Sequence, residues 1–318
     1  PTLTTVLKKK GYFTSIISGS FENSYEGAIT LEFDESLILG VNPYASFNRT
    51  FNYGLDWIRK HMNEKFFLYL HGYDLHTPYH SKYENYFDPG YDKDVDHIYE
   101  LYLEAMTSSY NRKDHNFNDL KESLVKPEQE YHIISHYDGG IVYVDELFEL
   151  FIYELNRSGL LNKTIIVVFS SHGEALFENG RFEHSLFAMS QPVIHVPLIF
   201  FIPAGKHEVI DTPVALMDII PTLFNFVNIK TKNSMQGIDL VPIIENPRLG
   251  DKSRVIAGGR YIIKEDWKVL LYPTIQLYNL KNDPNESNNL ANGRQDKVKE
   301  LMDEYNNIVI NQYIQKNG

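Results

Sequence analysis

The chain has 318 residues, no cysteine, 43% hydrophobic residues and a formal net charge of -12. That length can bury the core of one large α/β domain with a small annex, and the lack of thiols excludes disulfides and thiolate metal sites. The acidic balance argues against a nucleic-acid partner, and no apolar run approaches the length of a membrane span.

Leu3, Val6 and Leu7 predict a short helix over Thr2–Lys10, with basic residues in its last turn and a stop at Gly11. Tyr12–Ser18 reads as a strand. Phe47, Phe51, Leu55, Ile58 and Met62 recur at helical spacing, which predicts a helix over Phe47–Asn63. A strand at Phe66–Leu70 follows, then a turn from His71 to His80. Pro78 disfavours helical geometry at Thr77, so the turn stays extended and presents His76 at the strand's end. Its histidines also read as plain loop decoration. Ser81–Tyr131 is polar and rich in tyrosine, and is expected to be a partly helical excursion. Ile141, Val144, Phe148, Phe151 and Leu155 form one stripe of a helix over Tyr137–Asn156, ended by Ser158-Gly159.

The densest chemistry lies in Lys163–Pro203. Thr164–Phe169 and Val196–Ile202 are apolar and β-branched enough for strands buried on both faces. The first stops abruptly in Ser170-Ser171-His172-Gly173-Glu174, and the connecting loop carries Glu183, His184 and His195. Ligands of open α/β sheets bind at carboxyl ends of strands. Composition alone leaves two readings open, an active-site edge and an ordinary loop of solvated histidines. Farther on, Thr212–Val227 reads as an amphipathic helix, Arg254–Tyr278 as a small antiparallel sheet and Lys297–Ile314 as a closing helix. The expected organisation is one domain over residues 1–250, incomplete at its N-terminus, and a subdomain over 251–318. The chain opens at Pro1 without an initiator methionine, so it is expected to be the later part of a longer protein.

Three blocks, in order, carry a family resemblance. FSSHGEALFENGRFEHSLF with VPLIFFIPAG, FFLYLHGYDLHTPYH, and WKVLLYPTIQLYNLKNDPNESNNLA are similar to the sulfatase family of the alkaline-phosphatase superfamily. The resemblance implies a three-layer α/β sandwich with a mostly parallel central sheet, plus the small C-terminal antiparallel sheet and helix. It implies that His76 and His184 bind the anion or donate a proton, and that His172 is a metal ligand. The Asp expected beside His172 is replaced by Ser171. The family's cofactor is Ca²⁺ or a similar ion such as Mg²⁺ or Mn²⁺, and a hydroxyl is a poor substitute for a carboxylate on a hard cation. The family's paired aspartates and nucleophile would align upstream of Pro1, and Ser190-Gln191-Pro192 lacks the Arg of the nucleophile motif. Ser18-Gly19-Ser20-Phe21 lacks the Lys and His that often touch the sulfate, while Phe33-Asp34 resembles an element of subgroups without them. Asp138, Asp145, Glu146 and Asp218 read as structural or solvated carboxylates. The activity implied is hydrolysis of a sulfuric ester, on a small anionic ester or sulfated sugar. Alternatives are a non-catalytic binding or scaffold protein, and phosphoester or phosphonate hydrolysis or phosphoryl transfer.

Overall fold

Thr2 starts the first helix, α1 (Leu3–Lys9), by accepting the Thr5 N–H on its hydroxyl at 3.4 Å, and Lys8 and Lys9 occupy the last turn. In this computed structural model the described residues are 2–19, 32–40, 46–79, 81–91, 99, 125–184, 189–230, 235–272 and 274–317. They form two compact units, one of residues 1–166 with 201–204, the other of 167–200 with 205–318.

In the first unit, β1 (Phe13–Ser18) is the middle strand of a parallel sheet and pairs with both β2 (Glu35–Ile38) and β3 (Phe66–His71). A middle strand takes ladder bonds on both edges, and β1 is buried from Thr14 to Ser18. The register sets Ser18 opposite Ile38 and His71, so the carboxyl ends of the strands finish together. Asp34 ties this sheet to α1. Its carboxylate accepts the Thr14 N–H at 2.8 Å and pairs with Lys8 at 3.0 Å. Burial works against the charge on Asp34, yet the Thr14 and Lys8 partners hold its carboxyl below the ordinary range. That role is structural.

Next comes α2 (Phe47–His61), capped by the Ser46 hydroxyl on the Asn48 N–H at 3.0 Å. Asp74, in the turn after β3, accepts the Phe47 N–H at 2.6 Å and joins that turn to the helix start. The long helix α3 (Pro127–Arg157) begins well before the predicted Tyr137. Pro127 suits a first helical position, Gln129 accepts the Lys126 N–H at 2.9 Å, and Glu128 and Glu130 complement the helix dipole. The earlier half buries His132, Ile133, Ser135, His136, Gly139 and Gly140, while the apolar stripe lies in the later half. There Phe151 and Leu155 pack with Ile17, Trp57, Ile58 and Leu160 into the unit's core.

The polar excursion is described at 81–91, 99 and 125–131; the rest lies outside the described residues. Its first part is pinned to α3. Tyr83 donates to Glu146 at 2.9 Å, Lys82 pairs with Glu146 at 2.7 Å, and His132 meets Asp88 at 3.1 Å beneath the Tyr91 ring.

In the second unit, β4 (Ile166–Phe169) pairs with β7 (Leu198–Phe201). Both were expected to be wholly buried. Instead β4 is half-buried throughout and β7 alternates, with Ile199 57% exposed. Successive side chains of a strand face opposite ways, and on β7 only one of those faces is covered. Between these strands, β5 (Ala175–Leu176) and β6 (Phe182–Glu183) make an antiparallel hairpin, and α4 (Gln191–Ile194) follows. The helix expected over Thr212–Val227 is shorter, a 3₁₀ turn at Leu216–Asp218 leading into α5 (Ile219–Phe226). Asp218 accepts the Ala215 N–H at 2.8 Å and so caps the turn, with Ala215 itself extended. The Asp218 carboxylate is fully buried and takes both guanidinium nitrogens of Arg254, at 2.6 and 2.8 Å, so its role is structural. After α6 (Val241–Glu245), the predicted antiparallel sheet is present: β8 (Ile256–Gly258), β9 (Tyr261–Lys264), β10 (Trp267–Leu270) and β11 (Gln276–Asn279) run in the order β11-β10-β9-β8. The closing helix α7 (Gln295–Asn317) covers it through Leu301, packed on Ile262, Val269 and Leu277. Among the described residues no helix is long and apolar enough to cross a membrane.

Candidate active site

The chain leaves β4 at Phe169 and turns sharply. Gly173 lies so close to α4 that its N–H reaches the Val193 carbonyl at 2.8 Å. A Cβ built on Gly173 would sit 2.1 Å from the Pro192 carbonyl oxygen, so only glycine fits. This seats the Ser170–Glu174 turn against α4, and β5 starts at once.

The hairpin register then does the placing. Ala175 faces Glu183 and Leu176 faces Phe182, so the next pair outward is Glu174 with His184. Antiparallel partners directly opposite come within side-chain reach. His184 Nδ1 meets Glu174 Oε1 at 3.0 Å, and the His172 ring stacks on the His184 ring at 3.8 Å and 28°. Because a carboxylate only accepts, His184 carries its Nδ1 proton toward Glu174 and keeps the lone pair on Nε2. His172 Nδ1 lies 3.1 Å from the Gly173 carbonyl, which sets the same tautomer. The Glu174 side chain is 4% exposed and the His184 side chain 27%, so a buried carboxylate orients an accessible imidazole. This is the arrangement of a general acid or base, and of an anion site when the ring is protonated.

His172 and His184 come together in the second unit. Ser171 stands exposed between Ser170 and His172, and His195 lies exposed at the end of α4. His76 lies in the first unit, in the turn after β3, where its Nδ1 donates to the Thr77 carbonyl at 2.7 Å and its ring packs on Tyr73 at 4.6 Å. Ser190 is 3% exposed on the approach to α4, far from what an accessible nucleophile requires. Glu174 was not assigned its orienting role from the sequence, although the hairpin register carries the signal. His71 was also passed over. It closes β3 within 3.1 Å of the Ser18 hydroxyl, at the carboxyl ends of the parallel strands.

For a divalent cation, Glu174 Oε2 is a buried oxygen with no hydrogen-bond partner among the described residues, on the carboxylate whose Oε1 meets His184 Nδ1 at 3.0 Å. One carboxylate beside one imidazole is a sparse donor set, and Ca²⁺ prefers several oxygens, some of them charged. The fit to Ca²⁺ from these residues is therefore poor.

Comparison with known proteins bears on the same stretch. The Sulfatase family model matches residues 1–229. An arylsulfatase of Clostridium perfringens is 25% identical over 284 residues, covering 83% of this chain and 56% of that protein. Arylsulfatase K of Xenopus laevis is 27% identical over 206 residues, covering 57% of this chain and 38% of the relative. The chain thus spans about half the length, or less, of these curated relatives. Among solved structures, one determined in complex with its substrate D-glucosamine-2-N,6-O-disulfate superposes with a TM-score of 0.65 at 17% identity, covering 100% of this chain and 82% of that one. A phosphonate monoester hydrolase of Agrobacterium radiobacter gives 0.68 at 16% identity, covering 96% of this chain and 80% of that one. These structural likenesses establish the α/β sandwich fold, and the match over residues 1–229 establishes the kinship: the chain belongs to the sulfatase family.

Proposed function

We propose that this chain supplies the anion-binding and proton-transferring part of a sulfuric ester hydrolase that acts on a sulfated carbohydrate. The observation that carries the reading is the Glu174–His184–His172 arrangement, a carboxylate-oriented imidazole stacked on a second one. The curated relatives named arylsulfatases support the reaction class. The sulfated glucosamine bound as substrate by a structural neighbour supports the substrate class.

Cleaving such an ester puts negative charge on the leaving oxygen and on the sulfuryl oxygens. Protonated His184, with Glu174 behind it, would meet an anionic oxygen with a charge-assisted N–H. His76 is assigned the other proton-handling role, on the resemblance of its turn. A divalent cation, when bound, would supply further charge stabilisation; His172 is assigned to it on the resemblance of its turn, and Glu174 offers a buried carboxylate oxygen. Ser190 lacks both exposure and the motif's arginine, so we assign it no nucleophilic role. The chain by itself is expected to bind the anion without turning it over.

The test is a titration of an aryl sulfate and of glucosamine 6-sulfate into the chain, alongside a chromogenic turnover assay with Ca²⁺, Mg²⁺ or Mn²⁺. The expected result is binding that His184→Ala abolishes, with turnover at background. No binding would overturn the reading. Turnover lost in His172→Ala would keep the site and refute the claim that the chain is insufficient alone. Aryl phosphate and phosphonate esters belong in the same assay, since the phosphonate monoester hydrolase shares the fold. Ser171, an exposed hydroxyl where the resemblance expects a carboxylate, favours a second reading, that of a binding protein without catalysis. Binding without turnover when the chain is joined to the family's nucleophile segment would select it.

A further inference from the structure

The hairpin that carries His184 is held at its far end by a buried ion cluster. Glu286 and Lys268 are paired at 2.5 Å, both side chains fully buried. The second oxygen of Glu286 takes Arg181 at 3.3 Å and the Gln191 N–H at 3.1 Å, and Lys268 also reaches the Gln191 side chain at 3.3 Å. Asn179 adds two bonds to the same C-terminal turn, donating to the Asn285 carbonyl and accepting from the Ser287 hydroxyl at 3.2 Å. Asn179 and Arg181 lie in the tip of the β5–β6 hairpin. Glu174 and His184 lie at its open end.

Backbone strain is concentrated in these two segments. Phe177, Asn179 and Glu183 in the hairpin and Glu286 in the turn all have left-handed φ, at 74°, 51°, 59° and 58°. Asparagine tolerates that region; phenylalanine and glutamate do not adopt it readily, and such residues persist only where their surroundings over-determine them. Packing and hydrogen bonds over-determine them here. Phe177 and Phe182 stack at 4.5 Å inside the hairpin, while Asp283 accepts the Ser287 and Asn288 N–H groups and fixes the turn that delivers Glu286. Buried ion pairs are weak evidence for net stability, yet they specify one arrangement over others. A cluster of this kind, on a strained hairpin, fits a device for fixing geometry.

We propose that Glu286 is a positioning residue for the histidine pair, clamping the hairpin tip through Arg181 and Gln191 so that His184 is held between Glu174 and His172. This deepens the hydrolase reading and rests on it for its consequence in substrate binding; the geometric claim stands without it. The hairpin strands are short and directly paired, so a displaced tip has few ways to relax before it reaches His184.

The test reads the site directly. In the isotope-labelled chain, the His172–His184 ring-to-ring nuclear Overhauser effect is measured in wild type, Glu286→Gln and the Asn179→Ala/Arg181→Ala double variant, with sulfate affinity measured by titration of sodium sulfate. The proposal expects the ring contact to weaken in both variants while cross-strand contacts of the β8–β11 sheet persist, and sulfate affinity to fall roughly 10-fold. Should Glu286→Gln fail to fold, the double variant, altered at the accessible hairpin tip, decides. An unchanged ring contact in the double variant overturns the proposal. If wild-type protein binds no sulfate at all, the hydrolase reading fails while the ring contact still decides this inference.

Discussion

A hydroxyl stands at position 171 where the family pattern has a carboxylate, and Ser171 is exposed. Restoring charge there is expected to help a hard cation, which gains most from anionic oxygens. Ser171→Asp should therefore bind Ca²⁺ more tightly than the unmodified chain in calorimetric titrations. Tight Ca²⁺ binding by the unmodified chain would instead mean that Glu174 already fills the role. Asp218 makes a different residue-scale prediction. It is fully buried, bound to Arg254 and to the Ala215 and Ile238 N–H groups. Asp218→Ala leaves a largely buried guanidinium and two backbone donors without their acceptor, a loss of roughly 3–5 kcal/mol. Urea denaturation checks it, and a change within error of zero would show that water replaces the carboxylate.

At the scale of elements, the site depends on how closely the 170–174 turn approaches α4. Gly173→Ala places a methyl group against the Pro192 carbonyl, which must move. Overpacking of this kind costs roughly 1–3 kcal/mol. The expected result is a lower unfolding midpoint together with shifted His172 and His184 resonances; a midpoint shift without those changes would separate the turn from the site. The β10 strand carries a pH prediction. Burial drives the Lys268 amine down to about 8 from 10.5, with Glu286 pulling it back up and Arg181 adding to the fall. A folded-state value below the unfolded one means that the unfolded chain binds more protons between pH 8 and 10.5. This group's penalty is thus fully present below about pH 8 and is relieved as pH rises through that window. Compared with Lys268→Met, wild-type stability should climb with pH there by at most about 1.4 kcal/mol per pH unit. Parallel stability curves for the two proteins would refute it.

Over the whole molecule, a net charge of -12 opposes the approach of any anionic ester. On the proposed reading, capture relies on local hydrogen-bond donors at the site, while the long-range field repels. Because salt screens exposed charges over about 10 Å at 0.1 M, moderate salt should speed association of a sulfated sugar. Stopped-flow association rates at low and moderate ionic strength measure this. A rate that falls with salt would reveal a positive funnel that the composition does not suggest. The organisation expected from sequence, residues 1–250 and 251–318, remains a proposal about folding autonomy. Expression of 251–318 alone, followed by its tryptophan fluorescence on denaturation, would test whether the Ile262, Val269, Leu277 and Leu301 core suffices.

Periodicity and turn chemistry were enough to read most elements of this chain. The α2 stripe, the β1 and β3 runs, the β8–β11 sheet and the closing helix are where local patterns place them, since their apolar spacing or continuous apolar runs are visible residue by residue. The order of the three motif blocks between Phe66 and Ala291 likewise points to the family. Three things needed tertiary structure. The start of α3 is polar and held by a cap and by loop 81–91, so no apolar stripe marks it. The exposure of Ile199 depends on which face of β7 is covered, and an apolar run reads the same with one face covered or two. The Glu174–His184 pair depends on a hairpin register, and the Lys268–Glu286–Arg181 cluster on an arginine more than eighty positions away in sequence from its two partners. Sequence spacing carries information about a strand or a helix because its geometry repeats. Which strand faces which, and which charges share a desolvated space, is decided only when the chain closes on itself.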